Sequence, residues 1–94
     1  REIDDVLYRH KNVLEAASFP LSDNNYGQIV AAAITPRPGH KVTESELKKL
    51  CNDYMGEFRT PSIFFFLDEL PKGPSGKIQR LKLTDMFSKN NLNN

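Results

Sequence analysis

Apolar residues recur at helical spacing in some stretches of this chain and run together in others. From Glu2 to His10, the positions Ile3, Val6, Leu7 and His10 fall three and four apart, as one stripe of a helix does. Glu2, Asp4 and Asp5 stand in its first turn, where acids suit the helix dipole. Val13 to Phe19 predicts a strand, and Pro20 to Asn25 a turn, because Pro, Ser, Asp and Asn each punctuate the backbone. Gln28 to Thr35, bounded by Gly27 and Pro36, is too short for a typical helix and predicts a strand covered on both faces. After the connection Pro36 to His40, Thr43-Glu44-Ser45-Glu46 is a capping box, a hydroxyl followed three residues later by a carboxylate. Behind it Leu47, Leu50, Cys51 and Tyr54 line one helix face, with Lys48, Lys49 and Asp53 on the other. Gly56 ends that helix and Pro61 keeps Thr60 extended. Ile63 to Leu67 predicts a strand, Asp68 to Lys77 a long loop, and about Leu81 to Ser88 a final helix with Leu83, Met86 and Phe87 as its apolar side. Residues 89–94 have too little to bury and are expected to be disordered.

Helices and strands are mixed without a regular βαβ alternation. The expected class is α+β, a small, mostly antiparallel sheet of about three strands with helices packed on it. Ninety-four residues make one domain, expected over residues 1–88. The apolar runs fall far short of the roughly 20 residues of a membrane helix. Thirteen Lys and Arg against twelve Asp and Glu give a formal charge of +1, so charge gives no reason to propose nucleic acid or an anionic membrane as partner. A single cysteine forbids an internal disulfide, and Cys51, His10 and His40 lack metal-ligand spacing. The Met-less start reads as a cut from something longer.

The chemistry is concentrated in Leu70-Pro71-Lys72-Gly73-Pro74-Ser75-Gly76-Lys77-Ile78-Gln79-Arg80. Two prolines restrict this backbone and two glycines permit conformations other residues avoid, so the loop is shaped, anchored by a strand before it and by Ile78 after it. Taken alone, a lysine on such a loop is ordinarily a solvated surface charge. Beside Gly76, where a ligand can approach the backbone closely, the Lys77 ammonium suits a phosphate or carboxylate oxygen. A phosphate-binding P-loop is excluded: it needs four residues between its glycines and a Ser or Thr after the lysine, whereas Gly73 and Gly76 are two residues apart and Ile78 follows Lys77.

This run resembles the last motif of the adenylate-forming enzymes, the superfamily of AMP-forming acyl-CoA synthetases, peptide-synthetase adenylation domains and luciferase. Other segments agree in order. Arg1 to Asp4 with Leu7 and His10 resembles the start of their C-terminal domain, and Val13 to Ala17 with Asp23 and Tyr26-Gly27-Gln28 their strand pair. Thr43 to Leu47 resembles their threonine-led helix, and Phe58-Arg59-Thr60-Pro61 their Tyr-Lys-x-Pro segment. The resemblance implies the mobile C-terminal lid of an acid–CoA ligase whose large N-terminal domain, absent here, holds most of the ATP, Mg²⁺, carboxylic acid and coenzyme A. It implies that Lys77 is the adenylation lysine, bridging the substrate carboxylate and the α-phosphate of ATP, with Gly76 beside it on the α-phosphate side. Pro71 placed before Gly76-Lys77 also resembles the signature at which protein acyltransferases modify this lysine.

The remaining positions carry weaker expectations. Gln28 is read as structural and Asp23 as a turn cap. Asn52 stands where several acyl-CoA synthetases place a basic residue against coenzyme A, and the nearby Lys48 and Lys49 are read as solvated. Lys11 replaces a usual proline, and Phe64 to Phe66 are read as core before domain-facing patch. The alternatives are a lid serving a carrier-protein thiol and, in another class, a stand-alone interaction module. The fragment alone is expected to be inactive. The expected location is the cytoplasm with the peroxisome as the alternative, although Ser88-Lys89-Asn90 is not a terminal Ser-Lys-Leu.

Overall fold

The computed structural model describes residues 2–88; the tail expected at 89–94 lies outside them. Helix α1 (Glu2–Leu7) leads into strands β1 (Val13–Asp23) and β2 (Gly27–Pro36). Helix α2 (Glu44–Met55) and a 3₁₀ turn (Glu57–Arg59) follow, then β3 (Ile63–Phe66) and helix α3 (Arg80–Phe87). The strands form one sheet in the order β1-β2-β3. β1 and β2 are an antiparallel pair running from Val13 opposite Pro36 to Asp23 opposite Gly27. β3 joins β2 in parallel, Ala31 to Ile34 facing Ile63 to Phe66.

The α+β class and the three strands are those expected, and most of the pairing is antiparallel. The one parallel pair, β2 with β3, is the exception that a mostly antiparallel sheet allows. β2, α2 and β3 form a single βαβ unit, hidden in the sequence because no second one repeats it. The turn expected over Pro20 to Asn25 is also shorter. β1 runs through Pro20 to Asp23, because β1 is an edge strand and there a missing N–H is tolerated. The turn proper is closed by Asp23, whose Oδ2 accepts the N–H groups of Asn25 and Tyr26 at 3.0 Å each, as a turn cap does.

Side chains alternate across the sheet and divide the core in two. Ala32, Ile34 and Phe64 face α1 and α2, where they pack with Val6, Leu7, Val13, Leu47 and Cys51. Ala31 and Ala33 face the other side with Ala17, Phe19 and Leu21, covered by Leu83 of α3 and by Leu70. Ala31 to Thr35 are all buried, as a central strand covered on both faces requires, but Gln28 and Val30 are exposed, so the cover expected over Gln28 to Thr35 holds only where β3 lies alongside. Phe65 and Phe87 stack with ring centroids 3.9 Å apart, and Phe19 sits about 6 Å from both. Of the phenylalanine run, Phe64 is core, Phe65 half-buried and Phe66 exposed.

Helix ends follow local chemistry. Thr43 accepts the N–H of Glu46, and Glu46 accepts that of Thr43, the reciprocal capping box expected at the start of α2. α1 stops at Leu7, sooner than the expected His10, as Arg9 and His10 donate to Val6 and Leu7 in tight three-residue bonds. His10 instead ties α1 to α2. Its Nδ1 accepts the Asn12 N–H at 3.1 Å, and its Nε2 lies 3.1 Å from Glu46 Oε1. Two expected core residues are out of it. Tyr54 is exposed, its ring 4.7 Å from the Arg9 guanidinium, and Met86 is exposed on α3.

Candidate functional site

The loop between β3 and α3 is a pinned hairpin. Lys72 and Ile78 pair as an antiparallel bridge. The Gly73 N–H donates to Lys77 O at 2.9 Å, Gly76 N–H to Gly73 O at 3.0 Å, and Gln79 N–H to Pro71 O at 2.9 Å. The sequence dictates this shape. Gly73-Pro74-Ser75-Gly76 is a four-residue turn with proline second, where its fixed φ fits, and Gly76 takes φ +86°, the left-handed conformation that closes a three-residue hairpin. The tip is therefore Pro74-Ser75, and Lys77 stands on the returning arm one residue before the bridge.

Lys77 is exposed, and among the described residues it has no ion-pair partner. A Cβ built on Gly76 would meet nothing within 4 Å, so the backbone beside the lysine is open to close approach. Gly76 and Lys77, consecutive in the chain, are both exposed on the returning side of the hairpin. The hollow next to them, lined by Ile78 to Lys82, is open to solvent. Asn52 lies elsewhere, on α2, its Oδ1 accepting the Thr60 hydroxyl at 2.6 Å; Lys48 and Lys49 pair with Glu44 and Asp53 on the same helix.

Both feet of the hairpin are tied down. Lys72 Nζ lies 2.8 Å from Glu15 of β1, and the backbone carbonyl of Leu70 also accepts from it. Arg80 is forked: one nitrogen donates to the Asp4 carboxylate and the other to Ser18 O at 2.7 Å. Asp4 Oδ1 in turn accepts the Ser18 N–H at 2.7 Å. Sequence reasoning missed this network by assigning Asp4 to the helix dipole alone. The available signal was its position three residues before Leu7, on the margin of the apolar stripe of α1, where an acid needs a partner. Among the described residues no three His, Cys, Asp or Glu side chains come together as a metal would need.

Sheet, helices and pinned lysine hairpin together define a domain type also seen in an acyl-CoA synthetase. The crystal structure of a Brucella canis acyl-CoA synthetase superimposes with a TM-score of 0.82 at 33% identity, over 89% of this chain and 16% of that one. The AMP-binding enzyme C-terminal domain family matches residues 2–77, ending on Lys77, and this chain belongs to that family, within the adenylate-forming enzymes. A sulfoacetate–CoA ligase of Cupriavidus necator is 46% identical over 83 residues, covering 88% of this chain and 16% of the ligase. An oxalate–CoA ligase of Saccharomyces cerevisiae is 37% identical over 92 residues, covering 98% and 17% respectively. The chain thus spans about one sixth of the length of these curated relatives. No helix among the described residues is long and apolar enough to cross a membrane.

Proposed function

We propose that this domain is the mobile lid of an AMP-forming acid–CoA ligase and that Lys77 supplies the cation for adenylation. The observation that carries the reading is a lysine without an ion-pair partner among the described residues, held on a hydrogen-bonded hairpin in a chain of this family. In adenylation a carboxylate oxygen attacks the α-phosphorus of ATP, forming a P–O bond as pyrophosphate leaves. Two anions must approach, and negative charge on the phosphoryl oxygens has to be offset as they do. An ammonium placed there stabilises the transition state by about 3–4 kcal/mol, the scale of a lost oxyanion-hole donor. Gly76, without a side chain, lets a phosphate oxygen reach the backbone next to that ammonium.

A cation carried on a lid can be withdrawn once the acyl-adenylate exists, leaving that side open to the thiol of coenzyme A. The N-terminal part of the same polypeptide would hold the acid, the adenine and Mg²⁺. The test is a pair of half-reactions in the full-length ligase. Lys77→Ala is expected to abolish acyl-adenylate formation and to spare thioester formation from supplied acyl-adenylate; equal loss of both would refute the role. Supplying coenzyme A or a carrier-protein thiol as acceptor identifies the second substrate.

A further inference from the structure

The two ends of the lysine hairpin are held by different means, and the more demanding one is Arg80. Its guanidinium donates to Asp4 and to Ser18 O simultaneously, while Ser18 N–H returns to the other oxygen of Asp4. The result is a closed ring of three residues joining α1, β1 and the first residue of α3. Asp4 is 6% exposed. Arg80 is only three residues beyond Lys77, and between them lie the bridge residue Ile78 and the Gln79 N–H bond to Pro71. The two bonds that make that bridge, Gly73 N–H to Lys77 O and Gln79 N–H to Pro71 O, hold the backbone from Lys77 to Gln79 against the outgoing arm, so a displacement at Arg80 acts directly on the stretch that carries Lys77. On the far side, Lys72 with Glu15 fixes the outgoing arm to the same strand, β1.

We infer that Arg80 is a positioning residue for Lys77: its fork onto Asp4 and Ser18 makes the lysine hairpin and α1 one rigid body, so that the ammonium arrives already oriented. The inference rests on the proposed adenylation role of Lys77. A planar five-donor guanidinium can serve the carboxylate and the carbonyl at once, whereas a lysine amine in its place is a single point charge. Catalytic placement tolerates little slack, since a misplacement of about 1 Å from a remote change can lower a rate about 100-fold.

The experiment uses the full-length ligase and three variants, Lys77→Ala, Arg80→Lys and Arg80→Met. Adenylation is read by ATP–pyrophosphate exchange and the second half-reaction by thioester formation from supplied acyl-adenylate. Hydrogen exchange is followed in the peptide spanning residues 70–80. Arg80→Met is expected to lower the adenylation kcat roughly 10- to 100-fold. KM for acid and ATP and the thioester half-reaction should stay within about twofold. Exchange at the Gly73, Gly76 and Gln79 amides should accelerate. Arg80→Lys should fall between Met and wild type on both kcat and exchange, and it gives the reading alone if Arg80→Met does not fold. Loss of both half-reactions in proportion would make Arg80 a structural residue and overturn the inference. So would wild-type adenylation in both Arg80 variants while Lys77→Ala is dead, an outcome that leaves the proposed function standing. If Lys77→Ala itself adenylates normally, the proposed function fails and takes this inference with it.

Discussion

The carboxylate of Asp4 and the guanidinium of Arg80 meet across 76 positions of sequence, closing the domain's first helix onto its last. Asp4 is buried and accepts from Ser18 as well as Arg80, so removing it takes the acceptor from the Ser18 N–H and the charge partner from a half-exposed guanidinium. Asp4→Ala is expected to destabilise the fold by about 2–3 kcal/mol, as loss of a largely buried charged hydrogen-bond partner does. In a domain of this size that lowers the melting temperature by roughly 10–20 °C. A thermal melt within a degree or two of wild type would show that the pair contributes nothing.

Gly76 is required by the backbone as much as by any ligand. At φ +86° a Cβ is strained although the space around it is open. Gly76→Ala should lose about 1 kcal/mol of stability, and Gly76→Val more because branching at Cβ is poorly accommodated there. Thermal unfolding measures both, with the order Gly, Ala, Val as the expected outcome.

The start of α2 depends on a reciprocal cap. Thr43→Ala should lose about 1 kcal/mol. The Glu46 carboxyl is held below its ordinary value of 4.5, chiefly by the Thr43 backbone N–H and then by His10. A lowered folded value means that the contribution is present above 4.5 and is lost as pH falls through the folded value below it. Amide exchange at the first turn of α2 should therefore quicken on acidification in wild type. In Glu46→Gln it should be already faster at neutral pH and respond less to acid.

Cys51 lies on the buried face of α2, and burial pushes its thiol up to about 11. At pH 8 only about one thiol in a thousand is then ionised, and that one is shielded from solvent. Iodoacetamide should leave Cys51 unmodified in the native protein and label it on unfolding in urea. Fast labelling under native conditions would contradict the packing of α2 on the sheet.

Much of the fold is legible in the sequence wherever one interaction dominates a segment. The capping box fixed the start of α2, Gly56 its end, and the unbroken apolar run of β2 its position in the middle of the sheet. Pro20 reads as turn punctuation yet lies inside β1, because β1 is an edge strand and edge position is a property of the assembled sheet. Tyr54 misled because a phenol can leave an apolar stripe when a neighbouring guanidinium, here Arg9, covers its ring. The hairpin around Lys77 was legible as a shaped loop from its prolines and glycines. Its anchors Asp4, Glu15 and Ser18 were not, since partners so far apart in sequence leave no spacing to detect.

The proposed role of Lys77 requires its amine to be delivered to the place where acid and nucleotide react. A crystal structure of the full-length ligase, trapped with its carboxylate and a non-hydrolysable ATP analogue, tests it directly. If Lys77 is the adenylation cation, its Nζ lies within about 3 Å of an α-phosphate or carboxylate oxygen. The same amine pointing into solvent, with the lid closed over both substrates, would contradict it.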